Sequence, residues 1–456
     1  MATGYGPGMP SRLAVIGGNP AGMSGASVAK RRDPDLEIVA FERGPYTSYA
    51  ACGIPYLIGG HIKEVDDLIA RSPNEHRRNG IDLRTRTEVV SIDLAARTLT
   101  ARDEQTREES TESFDQLLIA TGARATTPPI PGAEATEPAH TLDAAEQLRA
   151  EVRRRGTHAV VIGAGYIGLE MAENLVARGM QVTMVDRAPQ VMGTLDADIA
   201  EHVQDAAEGH GVKVLLNVDI TEVVRDDAGR PTLVRTSEGD LQADHVVVGT
   251  GAKPDVELAA AAGLTVGEQT GALVVDDHLR APGHDGVFAA GDCVESHHRI
   301  LDAPVNIQLG THANQQGRVA GLNAAGGDVR FPGVLGTAIS RICRYEVART
   351  GLTEREAADA GIDAVAVTTK ARTRAEYYPG AGPIWVKLVA ERGGGRLLGG
   401  QIVGTETAGK RIDTIATALW TGMTADDLQF VDLAYAPPVS PVRDPVLVAA
   451  RALAGR

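Results

Sequence analysis

Of the three cysteines in this 456-residue chain, Cys52 is the one whose surroundings suit redox chemistry. It lies in the stretch Ser48-Tyr49-Ala50-Ala51-Cys52-Gly53-Ile54-Pro55-Tyr56. There is no C-x-x-C or C-x-x-x-x-C pair, and Cys293 and Cys343 are far away along the chain. A thiol beside a redox cofactor exchanges electrons with it. Without a neighbouring thiol it must use a small-molecule disulfide, a peroxide or a sulfane sulfur. Most free cysteines are simply small buried apolar residues. The flanking chain argues against that plain reading for Cys52.

Cys52 follows a βαβ pattern. Leu13-Ala14-Val15-Ile16 reads as a buried strand. It runs into Gly17-Gly18-Asn19-Pro20-Ala21-Gly22, a small-residue helix from Met23 to about Arg32, and a second strand, Glu37 to Phe41, ending on Glu42. The glycines allow a tight turn and close helix–strand packing. The helix start faces a pyrophosphate, and the terminal acid accepts hydrogen bonds from a ribose. Asn19 stands where the middle glycine of G-x-G-x-x-G would be. A second unit has the full motif: strand Ala159–Ile162, loop Gly163-Ala164-Gly165-Tyr166-Ile167-Gly168, a helix to about Arg178, Gly179 as its stop, and a strand ending on Asp186. Asp186 suits a free ribose 2′-hydroxyl, so NADH is favoured over NADPH, although the adjacent Arg187 can meet a 2′-phosphate.

Two such units imply two dinucleotides. Leu117-Leu118-Ile119-Ala120-Thr121-Gly122 and Val246-Val247-Val248-Gly249-Thr250-Gly251 are near copies, each expected where the chain crosses between domains. Gly286 to Asp292 reads as a strand ending in Gly291-Asp292, with a helix start expected directly after it. Asp292 is placed to accept from a ribityl hydroxyl. From about Ala325 the character changes to alternating strands (Ile384–Val389, Leu397–Val403) and helices (about Lys410–Thr421, Ala425–Gln429), an α+β pattern with an antiparallel sheet. Tyr435-Ala436-Pro437-Pro438-Val439-Ser440-Pro441 cannot be helix. Cys293 and Cys343 read as packing thiols, His297-His298 as an exposed pair, and Asp196-Ala197-Asp198 as acids at a helix start. No zinc-ligand spacing is present, so no metal is expected.

The length requires two or three domains. A formal net charge of −15 argues against nucleic acid or an anionic membrane as partner. An odd cysteine count suits a reducing, cytoplasmic setting. No run of about 18 apolar residues is present to span a membrane. Met1–Pro10, glycine- and proline-rich, reads as a tail rather than a signal peptide.

Over nearly its whole length the chain resembles the flavoprotein disulfide reductases that carry two dinucleotide-binding domains. Its S-x-x-x-C element, Ser48 to Cys52, resembles their single-cysteine branch of coenzyme A disulfide reductases, NADH oxidases and NADH peroxidases. Cys52-Gly53-Ile54-Pro55-Tyr56, Tyr377-Tyr378-Pro379-Gly380 and the Tyr435 segment are most similar to the coenzyme A disulfide reductases. The resemblance implies an α/β fold: an FAD domain over 11–121 and 251–325, an NAD(P)H domain over 122–250, and an α+β dimerisation domain over 326–456. It implies FAD, NADH or NADPH, and coenzyme A as a mixed disulfide on Cys52. It places Arg43, Ser48, Val90, Thr121, Gly122, Gly251 and Gly291 with the cofactor residues already named. Tyr166 would cover the flavin until nicotinamide displaces it, and Glu170 would orient the nicotinamide amide. Tyr377 and Tyr435 would reach the partner's cysteine across a homodimer. Ser24, Arg31, Ser48, Asn314 and Arg443 correspond to substrate contacts. Val28, Ala51 and Gly80 replace polar or basic positions, with Arg77 and Arg78 nearby to supply charge, which brings another thiol or a persulfide forward. In the implied cycle, reduction releases RSH from Cys52–S–S–R, and the thiolate attacks the next disulfide. The alternatives are an oxidase or peroxidase cycling Cys52 through a sulfenic acid, and a slow redox sensor acting on a protein.

Overall fold

Leu13-Ala14-Val15-Ile16 lies in the strand Arg12–Ile16, the centre of a parallel five-stranded sheet. The order is Val287–Ala289, Gln116–Ile119, Arg12–Ile16, Glu37–Glu42, Ile81–Thr85. Helices and loops cover both faces, which is why these strands are unbroken apolar runs. A second parallel sheet orders Val212–Leu215, Gln181–Val185, His158–Ile162, His245–Val248. This computed structural model describes residues 11–136, 141–154, 157–393 and 395–455. The tail expected over Met1–Pro10 lies outside them.

The first loop helix spans Pro20–Arg32, starting three residues before the expected Met23 because proline at the first position presets the helical φ. It packs backbone to backbone on the helix Gly310–Ala324. A Cβ on Gly317 would sit 2.1 Å from the Ala21 carbonyl oxygen, and one on Gly321 would sit 2.2 Å from that of Gly25. The two Thr-Gly segments lead into short strands, Ala123–Ala125 and Ala252–Pro254, which pair antiparallel. Arg124 Nε donates to Asp255 Oδ2 at 2.6 Å beside them.

The last third forms an antiparallel sheet in the order Ala338–Ile342, Tyr345–Gly351, Leu397–Gly404, Pro383–Glu391, Ala364–Arg372. The helices Ile412–Thr421 and Pro445–Ala454 share one core with it. Tyr435 to Pro441 is non-helical.

Two expectations change. No helix follows Asp292 directly. A β-hairpin, Ser296–His298 with Ala303–Val305, comes first and the helix begins only at Gly310. His297 is exposed, but His298 is buried and its imidazole is held down at about 4, chiefly by burial. Asp196 and Asp198 flank a helix start as expected, and they also enter an ion cluster that their spacing does not reveal. Both face the nearly buried Lys387, at 3.3 and 2.7 Å, and Glu354 completes that ion cluster. Asp196 also accepts from the Gln401 amide at 2.6 Å. The cluster joins the second parallel sheet's helix to the C-terminal sheet.

Gly317→Ala is expected to cost about 1–3 kcal/mol of stability by overpacking the two helices. Gly209→Ala, where nothing lies within 4 Å, is expected to stay within about 0.5 kcal/mol of the parent. Thermal unfolding of the two variants checks this.

Candidate active site

The two glycine loops are built alike. A Cβ on Gly22 would lie 1.9 Å from the Gly17 carbonyl oxygen, and one on Gly168 would lie 1.9 Å from that of Gly163. Behind them, Gly17 backs onto the Ala120 carbonyl and Gly163 onto that of Gly249, with φ of +114° and +103°. Each terminal acid ties its loop in the same way. Glu42 accepts from the N–H groups of Gly18 (2.8 Å) and Gly44 (2.7 Å); Asp186 accepts from those of Ala164 (2.7 Å) and Ala188 (2.8 Å). Burial raises the Glu42 carboxyl against those bonds.

Both loops fit a dinucleotide. Gly165 faces open space, with nothing within 4 Å of a Cβ there. In the first loop Asn19 takes that place. Its Oδ1 is buried with no hydrogen-bond partner in the chain, an orphaned acceptor a bound group can satisfy. Gly122 and Gly251, both at positive φ, likewise face open space. Gly291 adopts φ +91°, and its N–H donates to Gln316 Oε1 at 2.9 Å.

Cys52 sits in a single 3-10 turn, Ala51–Gly53, ahead of the helix Ile54–Gly59. Gly53 leaves room there for the Leu68 side chain, whose Cδ2 would lie 2.1 Å from a Cβ. Cys52 is exposed while Cys293 and Cys343 are buried. Protein crowds the inner side of the sulfur nonetheless. Desolvation there pushes the thiol above its ordinary range, and the charges of Glu170 and Asp292 push it further; a backbone hydrogen bond opposes them. Glu170 is itself raised, by burial and then by Glu173, while the Ser340 hydroxyl donates to its Oε1 at 2.5 Å. Tyr166 is raised by burial.

Ser48 connects the first loop to the cysteine segment. It adopts φ +48°, donates its N–H to the Gly18 carbonyl at 3.0 Å, and accepts from the Ala70 N–H at 2.9 Å. Its Oγ lies 2.9 Å from His76 Nε2. Ser24 Oγ donates to Asn314 Oδ1 at 2.7 Å, so these two residues meet across the helix pair. Arg31, Arg78, Arg187 and Arg443 are exposed. Arg77 is exposed as well, and it donates to the Leu83 carbonyl and to Asn74. Arg43 lies 3.7 Å from Glu88. Val90 occupies the bulge of its strand, and Thr121 Oγ1 donates to the Asp255 carbonyl at 2.6 Å. Ile167 is an exposed apolar side chain in the first turn of its helix. Tyr377 and Tyr435 are exposed and interact with each other, which raises Tyr435.

His76, Ser340 and Glu173 are additions that reading the sequence missed. His76 is buried and held below its ordinary range by desolvation and then by Arg71. Nothing in the local pattern of Ser72-Pro73-Asn74-Glu75-His76 marks it, since a buried histidine on a short helix is ordinarily a packing residue. Replacing Glu170 with Gln removes a negative charge beside the sulfur. It is expected to lower the Cys52 pKa, seen as a move of the pH inflection of alkylation at the Cys52 peptide to lower pH in the variant than in the parent.

The family model described as pyridine nucleotide-disulphide oxidoreductase matches residues 11–317, and that family's dimerisation domain matches residues 337–445. The NAD(P)H coenzyme A polysulfide/persulfide reductase of Pyrococcus horikoshii is 37% identical, covering 98% of this chain and 99% of the relative. An NADH oxidase of Methanocaldococcus jannaschii is 36% identical, covering 96% of this chain and 98% of the relative. The solved NAD-dependent persulfide reductase from A. fulgidus superposes with a TM-score of 0.93 at 38% identity, over 97% of this chain and 83% of that one. The chain, with its two duplicated glycine loops and its C-terminal antiparallel sheet, belongs to the pyridine nucleotide-disulphide oxidoreductases.

Proposed function

We propose that this protein is an FAD-dependent NAD(P)H oxidoreductase that reduces a sulfur substrate through Cys52, with a coenzyme A disulfide or persulfide as the substrate class. The observation that carries this is a lone exposed thiol on a segment tied to the Gly17–Gly22 loop through Ser48 and within the field of Glu170 on the helix after Gly163–Gly168, with the other two cysteines buried. The family brings FAD and NAD(P)H as cofactors, and the Pyrococcus relative is named for a coenzyme A sulfur substrate.

In this reading the Gly17–Gly22 loop, Glu42 and Asp292 hold FAD. The Gly163–Gly168 loop and Asp186 hold the nicotinamide nucleotide, NADH in preference, with Glu170 orienting its amide. FAD, when bound, carries electrons between nicotinamide and sulfur. The chain supplies position and proton handling. Cys52 as thiolate attacks R–S–S–R, one RS⁻ leaves and is protonated, and the mixed disulfide Cys52–S–S–R forms. Two electrons then cleave that bond and release a second RSH. With a persulfide R–S–SH the same thiolate takes the outer sulfur as Cys52–S–SH while RS⁻ leaves and is protonated, and two electrons then release that sulfur as hydrogen sulfide. Because Glu170 and Asp292 both oppose the Cys52 thiolate, its formation calls for a stabilising partner from elsewhere. The exposed Tyr377–Tyr435 pair of a partner subunit is the assigned source, in a homodimer built on the dimerisation domain. Phe430, Val439 and Val442, exposed apolar side chains of the segment around Tyr435, support this segment as part of the interface. Ser24 with Asn314, and the exposed Arg31, Arg78 and Arg443, are assigned to the substrate's polar and anionic groups. Among the described residues no helix is long and apolar enough to cross a membrane.

The NADH oxidase relatives keep a second reading in view, in which a peroxide oxidises Cys52 to a sulfenic acid. One assay separates the two. Cys52→Ser is expected to reduce NADH-dependent cleavage of coenzyme A disulfide and persulfide by roughly a thousandfold or more. Full turnover by the variant contradicts the proposal. NADH consumption in the parent that follows oxygen, and ignores both sulfur substrates, favours the oxidase reading.

A further inference from the structure

We propose that Glu173, His210 and Cys343 form a binding site for one divalent cation of the zinc class. Their donor atoms, a carboxylate oxygen, a ring nitrogen and a thiol sulfur, lie within 4.8 Å of one another. They come from three separate places. Glu173 is on the helix Tyr166–Ala177, His210 caps the end of the helix Ala197–Gly209, and Cys343 is in the turn between the strands Ala338–Ile342 and Tyr345–Gly351. Sulfur, imidazole and carboxylate together suit zinc, whereas calcium and magnesium take all-oxygen sets. Zinc bonds of about 2.0–2.3 Å place tetrahedral ligands ~3.5 Å apart. The donors therefore need to close by about 1 Å, within the reach of side-chain rotation.

The carboxylate is already fixed beside the thiol, because the Cys343 N–H donates to Glu173 Oε2 at 2.8 Å. Cys343 is buried, Glu173 half-buried and His210 exposed, so the cluster opens to solvent on the histidine side. A cation can enter there and keep a water as fourth ligand. Of the nearby arginines, Arg341 Nε donates to the Cys343 carbonyl, and Arg344 lies over the Tyr345 ring. Binding releases the thiol proton to solvent and moves no electrons. Glu173 is one turn beyond Glu170 on one helix, and Cys343 is three residues beyond Ser340. A bound cation would therefore clamp together the helix and the strand end that hold the Glu170–Ser340 pair, without using Cys52.

The test is calorimetric titration of zinc chloride into the flavin-loaded protein carrying Cys52→Ser, which removes the exposed thiol as a competitor. One zinc per chain is expected, with affinity falling at least about a hundredfold on adding either His210→Ala or Cys343→Ser. His210 is exposed, so its variant is expected to unfold at the parent's temperature in the absence of zinc. No stoichiometric binding, or binding that survives either substitution, overturns the proposal.

Discussion

A Cβ at residue 22 or residue 168 would lie 1.9 Å from a carbonyl oxygen of its own loop, and the rest of the molecule depends on that distance. Only glycine lets the helix start fold back onto the strand end so closely. With the helix seated, a loop N–H ahead of it, that of Gly18 or Ala164, reaches a carboxylate at the end of the next strand, Glu42 in one unit and Asp186 in the other. The same economy of side chains recurs where Pro20–Arg32 lies against Gly310–Ala324 through Gly25, Gly317 and Gly321. That contact brings residues nearly three hundred positions apart into one site, as the Ser24–Asn314 hydrogen bond records.

Around Cys52 the electrostatics run against its chemistry. Burial, Glu170 and Asp292 all favour the neutral thiol. A thiol held protonated in the resting chain is protected from adventitious oxidation, since the thiolate is the reactive form. Reactivity then depends on what arrives at the site. Glu170 is not a free charge either, because Ser340 of the C-terminal sheet holds it. The buried Lys387 cluster fixes that sheet to the helix Ala197–Gly209, and the Glu170–Ser340 and Glu173–Cys343 bonds fix it to the helix Tyr166–Ala177. Breaking a nearly buried ion cluster of this kind is costly.

Much of this was legible in the residues. The two parallel units were readable because buried parallel strands are unbroken apolar runs with glycine and an acid at fixed offsets. The C-terminal strands were readable because Ile384 to Val389 and Leu397 to Val403 are short, mostly apolar runs set between glycine-rich turns. The helix Gly310–Ala324 was not, because glycine, alanine, asparagine and glutamine give it no apolar period, and its packing needs their smallness instead. The hairpin after Asp292 hid for a related reason: its strands are three residues long. Ser340, His76, Lys387 and the Glu173–His210–Cys343 group were invisible because their meaning lies in partners from 28 to 170 or more residues away. Spacing rules for metals and ion pairs see only neighbours along the chain.

The central claim is that Cys52 carries a coenzyme A-type thiol as a mixed disulfide during turnover. The most direct measurement is the mass of the purified, denatured, unreduced protein, mapped to the peptide that contains Cys52. The account predicts an adduct of coenzyme A size on that peptide, removed by dithiothreitol. A bare thiol or a sulfenic acid there, in a preparation that turns over NADH, would contradict it.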